Sequence, residues 1–196
     1  MEFSPLSQAN LLVGVTDPEL AAGVCVALCD IWLQAIRNNN DALAQRMQYM
    51  RNSGPRALTQ QTLYNRERDQ QGPVGARNTV ARPLGHSFEE QTTVEQNPLN
   101  KTISVDELAG LMLNDLRAPL TGAGWTLRFK DRTGHALAGW QSLESRGGIH
   151  RGRFHLFDPN TGEFAGSATE FPDMVRDLFR RQPSYANLAR VRRGTT

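Results

Sequence analysis

Apolar positions in the N-terminal part of the chain recur at helical spacing. Val24, Leu28, Ile31, Trp32, Ala35 and Ile36 fall on one face of a 3.6-residue repeat, which predicts an amphipathic helix from Val24 to about Asn38. Asp41 reads as the N-cap of a second helix to about Arg51, closed by Ser53-Gly54-Pro55. A third, mostly polar helix is expected from Ala57 to about Arg68. Between Gln70 and Asn100 the periodicity lapses. Gly72, Pro73, Gly75, Pro83, Gly85 and Pro98 punctuate a stretch with few clustered apolar groups, so a mobile loop over 70–100 is expected, running on the surface near any cleft. Ser104-Val-Asp-Glu107 is a capping box that starts a helix to about Arg117.

The period then changes. Trp125–Phe129, Ala136–Trp140, Phe154–Phe157 and Glu163–Ala165 are short strand-like runs, separated by turn residues such as Asp131, Gly134, Gly147, Gly148, Asn160 and Gly162. A last helix is expected from about Thr169 to Arg181, stopped by Pro183, and the arginine-rich end beyond it reads as a frayed tail. Helices followed by strands predict an α+β fold, with N-terminal helices packed on a C-terminal antiparallel β-sheet. The 196 residues fit a single domain, 1–196.

Composition narrows the classes. With 39% apolar residues the chain can bury a core, and a net charge of +2 leaves no electrostatic footprint for nucleic acid. The longest apolar stretch, Leu11 to Ile36, is broken by Asp17, Pro18, Glu19 and Asp30, so no integral membrane segment is expected. The start, Met-Glu-Phe-Ser-Pro, lacks the basic and apolar blocks of a cleavable signal peptide. Cys25 and Cys29 cannot form a disulfide framework, and a reducing compartment fits them. Neither Cys-x-x-Cys nor His-Glu-x-x-His occurs, nor any Walker or Rossmann glycine pattern, so no metal or other cofactor is expected.

Chemistry has a candidate in Gly23-Val24-Cys25, at the head of the strongest helix. Unpaired backbone N–H groups in a first helical turn favour a thiolate, and a neighbouring imidazole strengthens that preference. His135 stands at a strand entrance in Gly134-His135-Ala136. Asp158 ends a strand in Phe157-Asp-Pro-Asn-Thr-Gly-Glu-Phe164. These segments, with Trp32 seven residues after Cys25, resemble the YopT-type effector cysteine proteases, a bacterial branch of the papain-like clan. The resemblance covers roughly 15–40 and 125–165. It implies a papain-like fold with Cys25 as nucleophile, His135 as general base and acid, and Asp158 as the residue that orients the imidazole. Cys29 would be a packing residue, and His150 and His155 read as surface hairpin residues.

The resemblance further implies a thiol protease toxin or effector, carried by a bacterial secretion system into the cytosol of a target cell, where it cuts a protein substrate. A chaperone, a delivery module or an immunity protein would be its other partners. The same three side chains serve deamidation, transglutamination or acyl transfer, and a degenerate papain-like binding module is the non-enzymatic alternative. Two departures stand out. The stretch Glu144–Gly152 lengthens the hairpin between His135 and Asp158. Papain-like enzymes usually carry an amide side chain five or six residues before the cysteine, where this chain has Leu20 and Glu19. Gln8 or Asn10 would have to fold in instead. Asp17-Pro18 looks like a helix start, so a break in the chain near Gly23 is expected before Cys25.

Overall fold

The computed structural model describes residues 1–38, 42–95, 102–146 and 149–196. Among the described residues, seven α-helices and seven strands follow in chain order: β1 (Glu2–Pro5), α1 (Gln8–Leu11), α2 (Pro18–Ala21), α3 (Cys25–Asn38), α4 (Leu43–Arg51), α5 (Gly54–Ala81), β2 (Glu89–Glu95), α6 (Val105–Asp115), β3 (Gly122–Phe129), β4 (Gly134–Arg146), β5 (Ile149–Asp158), β6 (Gly162–Gly166), α7 (Phe171–Arg181) and β7 (Leu188–Thr195). The strands form one antiparallel sheet in the order β1-β6-β5-β4-β3-β7-β2. The expected α+β architecture holds, and the four strand-like runs of the sequence become β3 to β6. Asp41 lies outside the described residues.

Strand alternation gives the sheet two apolar faces. On β4, Ala136, Ala138 and Trp140 join Phe157 of β5 beneath α3, α4 and α5, while Leu137, Phe154 and Leu156 face α6 and α7. The two alanines let α3 lie close to the sheet. Trp32 of α3 stacks on Phe157 with ring centroids 5.2 Å apart. The helices therefore cover both faces, and α3 is sealed between sheet and α5.

The segment read as a loop over 70–100 is largely regular structure. α5 continues to Ala81, with a kink at Gly72, whose φ of 78° interrupts the helix ahead of Pro73. Beyond the kink, Ala76, Arg77, Val80 and Ala81 form one buried face. Its apolar signal is weak because an arginine occupies the middle of that face. β2 is an edge strand paired only with β7, and polar residues on such an edge hide the usual alternation while discouraging further pairing. Residues 96–100 lie outside the described residues.

The chain end is also corrected. The arginine-rich stretch is not a frayed tail: β7 is inserted between β3 and β2, with Leu188 and Val191 fully buried and Arg190, Arg192 and Arg193 on the same strand. β1 was not legible either. It is short, ends in Pro5 and pairs with β6 at the other edge.

Candidate active site

Cys25 owes its position to a break in the chain. Asp17 caps α2 by accepting from Glu19 and Leu20 N–H, and the helix stops after one turn. Gly23 then takes φ 138°, a conformation side chains avoid, and α3 begins at Cys25. This is the break expected from the sequence. The first-turn N–H groups of α3 have no intrahelical acceptors, and side chains take two of the local donors. Val24 N–H donates to Gln8 Oε1 at 3.0 Å, and Ala27 N–H to Gln61 Oε1 at 3.3 Å.

The sheet brings the other two residues to the same place. His135, near the start of β4, holds Asp158 Oδ1 through Nε2 at 2.7 Å. Because that acceptor is a carboxylate, Nε2 carries the proton and Nδ1 is left for the thiol of Cys25, to which the imidazole is hydrogen-bonded. Asp158 ends β5 and is fully buried, yet every oxygen is satisfied. Oδ1 also accepts from Asn160 N–H at 2.8 Å, and Oδ2 accepts from the Thr161 and Tyr185 hydroxyls at 2.9 and 3.2 Å. The Asp-Pro-Asn-Thr-Gly turn thus makes its own carboxylate cage. Gly162, at φ 125°, completes it, because a side chain there would collide with the backbone of β1.

Electrostatics follows from these contacts. Burial alone would push the Cys25 thiol up. The hydrogen bond and charge of His135, the Ala136 backbone N–H and the more distant Arg77 outweigh it, and the thiol sits below its usual value. Burial would push His135 down, but the Asp158 carboxylate and Cys25 raise it to about 10. The two shifts are complementary, each favouring the charged form of its group in a thiolate–imidazolium pair. Cys29, one turn along α3, is pushed well up by burial and stays a neutral packing thiol.

A cleft of about 300 Å³ opens on the thiol, lined by Glu19 and Gly23, by Tyr64 and Arg68 of α5, and by Arg128 and His135 of the sheet. Gln8, considered from sequence as the missing amide, lies against Gly23, with its amide bound between Val24 N–H and Asn160 Oδ1. Asn10 is exposed. His155, expected on the surface, is buried: its Nδ1 meets Glu163 Oε1 at 2.9 Å, and its Nε2 meets Ser142 Oγ at 3.0 Å. Its parity on β5 matches Phe157 rather than the solvent, which explains the correction. The side chain of His150 lies outside the described ones. Among the described residues, no three His, Cys, Asp or Glu side chains cluster as metal ligands, and no helix is long and apolar enough to cross a membrane.

Comparison with known proteins agrees with this geometry. Residues 2–190 match the family Peptidase_C58, described as the Yersinia/Haemophilus virulence surface antigen. The chain belongs to this family. It is therefore a cysteine peptidase of the YopT type, from a family of bacterial virulence effectors. The fold is similar to that in the crystal structure of the Pseudomonas avirulence protein AvrPphB, with a TM-score of 0.68 and 22% identity over 98% of this chain and 96% of that one. No curated protein matches the sequence. Tyr185, Asn160 and Thr161 were not singled out from the sequence as parts of the site. Nothing local marks Tyr185, which sits 27 positions from the carboxylate it touches.

Proposed function

We propose that Cys25, His135 and Asp158 form the catalytic triad of a single-domain thiol protease, delivered by a bacterial secretion system into the cytosol of a target cell, where it cuts a protein. The observation that supports the triad most strongly is the unbroken contact from thiol to imidazole to buried carboxylate, with thiol and imidazole shifted in opposite directions. The family and its virulence role support the delivery route.

In this scheme the Cys25 thiolate attacks the carbonyl carbon of the scissile peptide, and the electron pair of the C=O moves onto oxygen. As the intermediate collapses, His135 transfers its Nδ1 proton to the leaving amine and a thioester remains on Cys25. The now neutral imidazole takes a proton from water, hydroxide attacks the thioester, and the thiolate leaves to pair again with the imidazolium. Asp158 keeps its charge throughout and holds the ring in one orientation. The cleft, with Tyr64, Arg68 and Arg128 along its walls, is where the substrate chain would lie.

The test is mass spectrometry of target-cell proteins incubated with wild type and Cys25→Ala. New termini that need Cys25 support proteolysis. Intact proteins shifted by about one dalton would indicate deamidation through the same thioester instead. No Cys25-dependent product of either kind would favour a binding module.

A further inference from the structure

Beyond the three residues, hydrogen bonds run from the nucleophile's helix back to the nucleophile itself. Val24 N–H, next to Cys25, donates to Gln8 Oε1, which fixes the orientation of that amide, since a backbone N–H can only donate. Gln8 Nε2 then donates to Asn160 Oδ1 at 2.5 Å. With its oxygen engaged, Asn160 presents its NH2 to the Tyr185 hydroxyl, where it acts as donor. Tyr185 must turn its own proton toward Asp158 Oδ2, 3.2 Å away. Asp158 Oδ1 holds His135, and His135 holds Cys25. The Val24 N–H thus orients the two amides, and the acceptor-only carboxylate of Asp158 fixes the direction of the remaining links.

Tyr185 is built for this place. It lies in a 3-10 turn, Pro183–Asn187, that follows α7, and only 2% of it is exposed. Its ring stacks on Phe129 at 5.3 Å, meets Phe179 edge-on at 5.7 Å and leans on the His135 imidazole at 5.6 Å. Burial, reinforced by Asp158, pushes its hydroxyl well above the usual range, so it donates as a neutral phenol.

We propose that Tyr185 is a positioning residue of the catalytic centre, holding the free oxygen of Asp158 and flanking the imidazole so that His135 stays aimed at Cys25. This rests on the triad reading above. Without the hydroxyl, the Asp158 side chain is anchored on Oδ2 by Thr161 alone. The carboxylate gains freedom to turn, the imidazole turns with it, and the thiolate–imidazolium contact loosens. The titratable groups touching the imidazole are Cys25 from α3, Asp158 from β5 and Tyr185 itself. Arg77 of α5 acts on the thiol at longer range, and Glu19, Arg68 and Arg128 line the cleft.

The test is the rate at which iodoacetamide alkylates Cys25, read by mass spectrometry across pH in wild type and Tyr185→Phe, which keeps the ring. Alkylation needs the thiolate but no protein substrate. The expected result is about a three- to tenfold slower rate near pH 6, with no change near pH 9, where a free thiol ionises unaided. Asn160→Ala should produce the same shift, and the double variant should add little, because both act through one hydroxyl. An unchanged rate at low pH, or an equal loss at both values, would overturn the proposal, as would additive effects in the double variant. Wild-type alkylation with the profile of an ordinary thiol would instead sink the triad reading, which keeps the two failures distinct. Thermal unfolding of each variant confirms that the folded protein is what reacts.

Discussion

Arg77 Nη2 donates to Asp30 Oδ1 at 2.8 Å across the α3–α5 interface, with both side chains withdrawn from water. The guanidinium also covers the Phe88 ring at 4.4 Å. This ion pair locks the second limb of α5 against the helix that starts with Cys25, and the positive charge helps to hold the thiol down.

Breaking that pair leaves a buried carboxylate without its counter-ion, which typically costs about 3–5 kcal/mol. Arg77→Met is therefore expected to unfold at markedly lower denaturant concentration than wild type. In the fraction still folded, alkylation of Cys25 should need a higher pH. A denaturant midpoint equal to that of wild type would show that the pair does not secure the interface.

The proposed triad makes a graded prediction. Cys25→Ala should abolish proteolysis while keeping the fold, because Cys25 is only half-buried. His135→Ala should come close to that loss, since both the thiolate and the proton donor for the leaving amine disappear, a combined effect of at least about 10²–10⁴. Cys29→Ser should alter stability and leave turnover intact. Activity measured on a Cys25-dependent substrate checks all three. Retained activity in Cys25→Ala with loss in Cys29→Ser would move the nucleophile one turn along α3.

Asp158 should do more than its proposed orienting role alone suggests. It is fully buried and accepts from His135, Asn160, Thr161 and Tyr185. Asp158→Ala strands four donors, each worth about 1–3 kcal/mol when left unpaired, so this variant should lose much of its stability as well as its rate. Asp158→Asn keeps the shape and one acceptor oxygen for His135 and Asn160, while the Thr161 and Tyr185 hydroxyls can turn to accept from its NH2, so it should separate the two effects: near-native melting with reduced turnover. Equal melting of the alanine variant and wild type would show that the cage contributes nothing to the fold.

The residues proposed for this chemistry stood out through motifs that resemble the family, and local geometry gives those motifs a physical cause. Gly23 is needed for a positive φ, Gly162 for the passage of β1, and Asp158 for a turn that donates back to its own carboxylate. Even the unexplained part of the Phe157–Phe164 motif has a cause. Phe157 stacks on Trp32, and Glu163 accepts from Trp32 Nε1 at 2.8 Å and from Arg46 Nε at 3.0 Å. Illegible elements share another trait. β2, β7 and the second limb of α5 carry charged residues where a pattern reader expects apolar ones, and their stability depends on partners far along the chain. Arg77 pairs with Asp30, 47 positions away, and Arg193 of β7 with Asp115, 78 positions away. Sequence spacing holds no record of such pairings.

The last prediction concerns acid stability, and its cause is the buried cluster of Arg46, His155 and Glu163 where α4 meets the sheet. Burial, outweighing the attraction of Glu163, holds His155 below its usual 6.5. Burial would raise Glu163, but its bonds to His155 and Arg46 prevail and hold it below 4.5. Both groups therefore bind protons more readily in the unfolded chain than in the folded one. By linkage, stability must fall as pH drops through the unfolded value of His155, and fall again below that of Glu163. The melting temperature should decline between about pH 7 and pH 5 and more steeply below about pH 4.5. His155→Gln cannot titrate, so it should flatten the first decline while leaving the second. A variant profile parallel to that of wild type between those values would mean that some other group, and not His155, takes up the proton on unfolding.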